Sequence, residues 1–432
     1  MQPKILTAGI AALAWLGVPA VAAAQEEGDV DKQRALLERS WPEIREARAN
    51  LPPFLRDTVL TVRSRTGLIQ AQTPTGLERQ EVASGGWVAY RSGWLLDGLQ
   101  IGATLYGAAP VYAPPGKDGL LLTSGENAYY VFGEAFGAVR YEEYAELKGY
   151  RQLVVEPYIN RADNKMTPNT FEGVTVRGTL FAVEYFAGYL TRIKTRLSDQ
   201  FVPMSVAAGA PGSNYGVALL SVMLKPLPGL SVKVSEQYGV NTFNTLFAHV
   251  EHRWPLADDL RLQIGAQFTD QRAAGRALVA TTQVNRWITR NGSARIAVTH
   301  RDLTLKVGGS MTGPGNKIQS PWGFYPGYLL LIQQFFNNAN EKAVLAGVAY
   351  DFNAIVPGLS AYTNHAWGAG SSNPAKGSRL GAEWEHDLTV EYRAPRIEGL
   401  LFRIRGAVYD QAGNDRLGYL IRSSINWELP LL

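Results

Sequence analysis

The 432-residue sequence predicts an all-β fold: a transmembrane antiparallel β-barrel of eighteen strands with short periplasmic turns, long extracellular loops and a short N-terminal periplasmic helix. Three observations predict it. From Phe54 onward, apolar and polar residues alternate with period two, which is typical of strands with one apolar and one wet face. Short, turn-rich connections alternate with long ones, and aromatic residues stand near both ends of an apolar strand face.

Composition excludes several other classes of protein. Charged residues make up 19% of the chain, too few for a disordered protein or a coiled coil. No cysteine is present, so disulfides, cysteine zinc sites and thiol nucleophiles are excluded. The net charge is +4, from 42 Lys and Arg against 38 Asp and Glu, and the cations are scattered singly. A nucleic-acid partner is therefore not expected.

Residues 1–24 have the order of a secretory signal peptide. Lys4 precedes an apolar stretch over 5–18, and the small residues Ala22 to Ala24 provide a cleavage site. About 14 apolar residues are too few to span a membrane. We therefore expect cleavage after Ala24 and export, with an N-terminal membrane anchor as the alternative.

Residues 25–53 are predicted to form a charged helical extension. Leu37, Trp41 and Ile44 share one helix face, and Pro52 with Pro53 ends the helix. A solvated extension is the favoured interpretation, and a plug or a partner-binding helix in the periplasm is the alternative. The remaining residues, 54–432, form the predicted barrel domain.

The wet strand faces indicate a water-filled lumen. In the segment 259–269, Ile264 and Phe268 share one face while Gln263 and Gln267 share the other. Similar two-faced segments cover 401–409 and 417–429. A soluble β-sandwich would leave the charged side chains of such strands unsatisfied in its core. A barrel enclosing water accommodates them.

The connections predict an up-and-down topology. The short connections are 226–229, 255–259, 356–358 and 394–399. The long connections are 67–81, 109–126, 154–170, 195–213, 311–341 and 368–378. Nineteen strand candidates can be counted, but a bacterial barrel with both termini in the periplasm needs an even number. Segments 278–288 and 293–300 are therefore predicted to be one interrupted strand, or a strand plus a loop, which leaves eighteen.

Tyr419 and Trp427 support a membrane location for the last strand. They lie eight residues apart on its apolar face, about 26 Å along a strand and roughly 20 Å after tilt. That distance approaches the height of a lipid-facing band, so both rings are expected in the interfacial girdles.

Four stretches together resemble one family. They are GGWVAYRSGW from Gly85, YINRADNKMTPNTFEG from Tyr158, PGYLLLIQQFFNNANEKA from Pro326 with the following AYDF, and LLFRIRGAVY from Leu400. Over 54–432 the chain resembles the OprD-like family of outer-membrane porins. The resemblance implies a monomeric eighteen-stranded channel whose third loop narrows the pore and whose arginine ladder conducts small carboxylate-bearing solutes. Channels that prefer basic amino acids need anionic groups at the constriction, yet nothing acidic occurs between Asp302 and Glu341.

The resemblance and the strand parity together select candidate site residues. The basic ladder is predicted to comprise Arg403, Arg405, Arg177, Arg261, Arg295 and Arg422. The constriction loop is predicted to contribute Tyr158, Arg161, Asp163, Asn164 and Lys165. A second long loop offers aromatic surface from Trp322, Phe324, Tyr325 and Tyr328. Alternatively, a hairpin centred on Pro395 would pair Arg405 with Glu385 and Arg403 with Asp387 as structural wall contacts.

The expected function is therefore passive diffusion of small, anionic solutes, including aromatic monocarboxylates, through an outer-membrane channel of a Gram-negative bacterium. A non-specific general porin is the alternative, and a barrel hydrolase is a distant one. His249 and His252 point to opposite faces of a strand, and no G-x-S-x-G or H-E-x-x-H motif occurs. We expect no catalytic residues, metal or cofactor; the expected partners are outer-membrane lipid and small carboxylates.

Overall fold

The computed structural model describes residues 47–279, 287–374, 376–414 and 416–431. Within them the chain forms a closed antiparallel β-barrel, which confirms the predicted fold class. The predicted signal peptide and most of the predicted helical extension lie outside the described residues. No helix in the described part of the chain is long and apolar enough to cross a bilayer.

The main sheet contains nineteen strands, of which the three-residue β10 only extends the pairing of β9, so that eighteen strands form the wall. The wall strands are β1 (Val59–Gln72), β2 (Glu78–Arg91), β3 (Leu99–Tyr112), β4 (Tyr129–Tyr141), β5 (Ala145–Gln152), β8 (Thr170–Leu180), β9 (Val183–Lys194), β11 (Val217–Leu227), β12 (Leu230–Gly239), β13 (Phe243–Ala257), β14 (Leu260–Ala273), β15 (Ile288–His300), β16 (Leu303–Thr312), β17 (Lys342–Asp351), β18 (Leu359–Asn373), β19 (Ser378–Arg393), β20 (Leu400–Asp410) and β21 (Leu417–Pro430). The remaining elements are β6 (Val155–Glu156), β7 (Ile159–Asn160), β10 (Phe201–Pro203), and the one-turn helices α1 (Pro53–Arg56) and α2 (Met204–Ala207).

The first and last strands close the barrel. β1 pairs with β21 from Thr61 opposite Pro430 to Gln72 opposite Tyr419, and its other edge pairs with β2. Closure leaves no open sheet edge, so every wall strand finds a partner on both sides.

All of the long links lie at one end of the barrel. The links 113–128, 153–169, 195–216, 274–287 and 313–341 all lie at one end, whereas every link at the other end has two to seven residues. β15 covers Ile288–His300 as one strand, and the described residues 278, 279 and 287 before it are not in a strand, which agrees with the predicted strand plus loop. Residues 280–286 of that predicted segment lie outside the described residues.

The prediction of a long loop is wrong for two segments. The segments 67–81 and 368–378 are mostly strand, and among their described residues only 73–77, 374, 376 and 377 leave the ladders. In the second segment, bulges between Gly368 and Ser371 and at Ser372 keep a Gly- and Ser-rich sequence paired with β19. A bulge absorbs extra residues without ending the strand, so composition alone suggested a loop where pairing continues.

Alternate side chains on the wall point outward and inward as predicted. On β14, Ile264 and Phe268 face outward and are 39% and 43% exposed, whereas Thr269 and Gln271 face inward and are buried. The inward polar residues are buried because loops fill much of the lumen. Phe243 on β13, for example, stacks on Trp322 of the link 313–341 with ring centroids 5.0 Å apart.

Candidate functional site

Two long links fold into the barrel and contact each other. We call residues 153–169 the first inward loop and residues 313–341 the second inward loop. The Asn160 amide joins them: its Oδ1 accepts from the Phe324 backbone N–H at 2.8 Å, and its Nδ2 donates to the Phe324 carbonyl at 3.1 Å. Both loops together therefore determine the shape of the lumen.

The tip of the first inward loop is anchored to the wall formed by β1 and β21. Arg65 donates through Nη1 to the Lys165 carbonyl at 2.6 Å and binds both carboxylate oxygens of Asp163, at 2.5 and 3.1 Å. Arg422 donates through Nη1 to the Asn164 carbonyl at 2.8 Å. The loop thus runs inside the barrel from β5 to the closing strands β1 and β21 and reduces the open cross-section of the lumen.

Asp163 does not offer a negative charge to the channel. Burial alone would raise the pKa of Asp163, but the hydrogen-bonded Arg65 and the charges of Arg63 and Arg161 outweigh burial and hold that pKa below its ordinary range. The carboxylate is therefore ionised and neutralised by its cationic neighbours. This predicted constriction residue has a positioning role.

Cations converge where the loop tip meets the wall. Arg405 on β20 lies directly opposite Arg422 on β21, and Arg422 interacts electrostatically with Arg405, Arg196 and Arg403. Burial, followed by the charges of Arg422 and Arg196, lowers the pKa of Lys165 in the first inward loop. We call Lys165, Arg196, Arg403, Arg405 and Arg422 the basic cluster.

The wall partners of the two β20 arginines differ from the pairing considered from sequence. Arg403 Nε donates to Glu391 at 2.7 Å, and Arg405 donates to the hydroxyls of Thr389 and Tyr362 at 3.2 and 2.9 Å. The hairpin centre lies two residues further along the chain than expected, because the link 394–399 closes with Ala394 N–H bonded to the Leu400 carbonyl. This move of the centre shifts each cross-strand partner by four residues, from Glu385 to Thr389 for Arg405, and an even shift preserves the face of each side chain while changing its neighbour.

Asp387 and Glu385, the two carboxylates considered as partners of these arginines, bind other groups. Asp387 accepts from Asn364 at 2.8 Å. Glu385 accepts the consecutive backbone N–H groups of Ile332, Gln333 and Gln334, at 2.6 to 3.2 Å. This carboxylate therefore fixes the second inward loop to β19, because a run of backbone donors is satisfied by one buried anion.

Three of the four predicted aromatic residues of the second inward loop are buried packing residues. Trp322 donates to the Met204 carbonyl at 2.8 Å, Tyr325 donates to Asn291 at 2.7 Å, and Tyr328 shares a hydrogen bond with His249 at 2.8 Å. The expected open aromatic surface is therefore wrong for these three, since apolar loop side chains gain more by packing against the inner wall. Phe324 is half-buried, and Arg196 lies over its ring at 5.3 Å.

Tyr158 is also a packing residue. Its hydroxyl shares a hydrogen bond with Thr269 at 2.7 Å, and its ring contacts Phe247 and Tyr325 with centroids 6.0 Å apart. Burial raises the pKa of Tyr158, so the phenol stays neutral. Arg161, by contrast, is half-buried, and its charge acts on Asp163.

Three of the predicted ladder arginines lie outside the basic cluster. Arg177 donates to Glu146 at 2.9 Å. Arg295 donates to Glu251 at 3.3 Å and lies over the Tyr328 ring at 4.6 Å. Arg261 is exposed and lies next to the short link that precedes β14. Only Arg403, Arg405 and Arg422 of the six join the basic cluster.

Several residues of the site were missed from sequence. Arg63 and Arg65 on β1 are separated by a single residue, as Arg403 and Arg405 are. This shared pattern could have identified them from sequence. Arg63 contacts Glu428 at 3.2 Å and lies over the Trp87 ring at 4.8 Å. Arg196 lies in the link after β9 and carries no local pattern, so only loop packing reveals it. Across the described ranges, no group of three or more histidine or acidic residues could hold a metal ion.

The sequence over residues 53–416 matches the profile of a family described as outer membrane porin, OprD family. No curated protein is a significant match to the chain. Among solved structures, OpdK of Pseudomonas aeruginosa with vanillate is similar, with a TM-score of 0.77 and 18% identity over 87% of this chain and 100% of that one.

Two further structures have the same architecture. OccK2 (OpdF) of Pseudomonas aeruginosa in complex with glucuronate has a TM-score of 0.75 and 16% identity over 88% of this chain and 100% of that one. A BenF-like porin from Pseudomonas fluorescens Pf-5 has a TM-score of 0.76 and 18% identity, with coverage of 88% and 100%.

Proposed function

The chain belongs to the OprD family of outer-membrane porins, and on this premise we propose that it is a passive, selective channel for small solutes that carry a carboxylate. The family consists of passive channels, so the hydrolase alternative is wrong for this chain. Selectivity in such a channel comes from weak, repeated binding groups along the path, because a single tight site would trap the solute.

The basic cluster is the observation that carries the proposal. Four arginines and Lys165, from two wall strands and two loops, meet beside the loop tip, whereas the nearby Asp163 is neutralised by Arg65 and Glu391 is bound by Arg403. The surplus of positive charge attracts anions into the constriction. Guanidinium groups also offer planar pairs of donors that match a carboxylate.

The solute class follows from the groups beside these cations. The Phe324 ring lies under Arg196, and the Tyr362 hydroxyl accepts from Arg405. Cations flanked by aromatic rings suit a benzoate-like monocarboxylate, whose ring and anionic group need both kinds of contact. The similar proteins whose structures contain vanillate and glucuronate support a carboxylate as the common feature.

The proposal includes the remaining organisation of the chain. Residues 1–24 direct export and are removed, residues 25–53 extend into the periplasm, and residues 54–432 form a monomeric barrel in the outer membrane of a Gram-negative bacterium. The long-link end of the barrel faces outward from the cell, as in other outer-membrane barrels.

Ion selectivity in a planar bilayer tests the proposal. The test variant is Arg196→Gln with Arg405→Gln, which removes two charges of the basic cluster and leaves the loop anchors Arg65 and Arg422 intact. The matched control is Arg261→Gln with Arg301→Gln, which removes the same charge at the short-link end. We expect a small anion-preferring conductance that benzoate blocks and arginine does not.

We expect the test variant to lose anion preference and to need about tenfold more benzoate for block, while the control stays native. A large conductance with no ion preference, unchanged in the test variant, would instead identify a general diffusion porin. Block by arginine rather than by benzoate would contradict the proposed charge of the solute.

A further inference from the structure

An ionic cluster lies on the outer surface of the barrel wall. Asp270 on β14 accepts from Arg272 Nε at 2.7 Å and from Arg290 Nε on β15 at 2.9 Å. The Asp270 side chain is only 7% exposed, whereas those of Arg272 and Arg290 are 50% and 62% exposed. One buried carboxylate thus binds two exposed guanidinium groups.

Strand parity shows that this cluster faces outward. Asp270 and Arg272 share the face of Ile264 and Phe268 on β14, and Arg290 shares the face of Ile296 on β15. Asp270 and Arg290 are direct cross-strand neighbours. All three lie toward the long-link end of their strands, so the cluster caps the apolar band at the end that the proposed orientation turns outward from the cell.

The two arginines have donors to spare. Arg272 contacts Asp270 through Nε and Nη2, and Arg290 contacts it through Nε. Each guanidinium carries five N–H groups in a fixed fork. Because both are held by the same carboxylate, less side-chain entropy is lost when their remaining donors bind one anion.

The local charge remains positive when the neighbouring strands are included. Lys342 on β17 is exposed on the same outer face and is linked to β15 through the cross-strand neighbours Met311 and Gly292. Glu236 on β12 is also outward, and it accepts from Asn244 at 3.0 Å. Three cations against two carboxylates leave a net charge of +1 on this part of the rim.

We propose that Arg272 and Arg290 bind a phosphate of a phosphorylated glycolipid in the outer leaflet. Charged groups on a lipid-facing wall are costly within the apolar band and are accommodated at the level of the headgroups. The apolar side chains of Ile264, Phe268 and Ile296 directly below would contact the acyl chains of the same lipid. The inference rests on the proposed outer-membrane location and is independent of the solute that the channel conducts.

Binding of defined glycolipids to the full-length barrel in detergent tests the inference. Native mass spectrometry would compare bisphosphorylated lipid A with its dephosphorylated form and with inorganic phosphate. We expect the native chain to retain the phosphorylated lipid at about tenfold lower concentration than the dephosphorylated one, with no retained free phosphate. This comparison uses only the native protein and does not depend on the folding of a variant.

Variants then assign the site. Arg272→Gln with Arg290→Gln should weaken retention of the phosphorylated lipid about tenfold or more. Arg301→Gln should have no effect, because Arg301 forms a comparable exposed pair with Asp259 at the opposite end, at 3.0 Å. Equal retention of both lipids by the native chain, or native-like retention by the double variant, would overturn the inference. Free phosphate retained as well as the lipid would indicate an anion site unrelated to the membrane.

Discussion

Arg65 and Asp163 form a two-point ion pair that joins the closing strand of the barrel to the tip of the first inward loop, with donor-acceptor distances of 2.5 and 3.1 Å. Arg65 also donates to Asn426 on β21 at 2.7 Å. One guanidinium therefore connects the seam of the barrel to the loop that narrows it. The loop position depends on this contact, because among the described residues Arg65 alone is hydrogen-bonded to both carboxylate oxygens of Asp163.

The pair predicts a specific pattern of stability. Arg65→Gln should lower the free energy of unfolding by about 3 kcal/mol, because Asp163 would remain enclosed without its charge partner. Asp163→Asn added to this variant should restore part of the loss, because the unpaired charge is removed. Urea unfolding in detergent micelles, arranged as a double-mutant cycle, measures the coupling. Simple additivity of the two changes would contradict the ion-pair interpretation.

The same pair predicts the width of the channel. Arg65→Gln should increase the single-channel conductance severalfold and weaken anion preference, since the loop tip is released from the wall. Arg261→Gln is the matched control, because Arg261 also has an inward-facing position on the wall but lies beside the short link before β14, at the opposite end from the loop. An unchanged conductance in Arg65→Gln would show that Arg422 alone holds the loop.

Glu385 is expected to be the anchor of the second inward loop. Glu385→Ala should free the backbone N–H groups of residues 332–334 and loosen the second inward loop, because no other acceptor replaces the carboxylate. We expect larger current noise and faster amide hydrogen exchange in that loop. His386→Ala is the control, since the neighbouring side chain on β19 points outward. Native exchange rates in Glu385→Ala would exclude this anchor.

We predict that the titration of Lys165 makes the anion preference of the channel depend on pH. Burial and the charges of Arg422 and Arg196 lower the pKa of Lys165, so its ammonium loses the proton at a lower pH than an ordinary lysine. An amine is charged below its pKa, and anion preference should therefore fall as the pH rises through that shifted value. Reversal potentials in a salt gradient between pH 6 and pH 10 measure this, and Lys165→Met should remove the dependence. If Lys165→Met kept the native dependence of the reversal potential on pH, the titrating group would be a different residue.

The sequence by itself determined the wall of this protein. Alternation is a local property, so the faces of Arg403, Arg405 and Arg422 could be assigned before any contact was known. An antiparallel barrel with both termini at one end requires an even strand number, and this requirement reduced nineteen strand candidates to eighteen by merging 278–288 and 293–300 into one strand, interrupted or preceded by a loop. Both features follow from local alternation and from strand number, so they are independent of detailed packing.

Only the tertiary structure decided what the lumen contains. The partner of Arg405 depended on the exact length of the link 394–399, which local pattern does not specify. Arg196 joins Arg405 and Arg422 although more than two hundred positions separate them, and Trp322 and Tyr325 are buried because a long loop packs against distant strands. Such contacts arise from how loops fill a closed space, and residues far apart in sequence compete for the same inner surface.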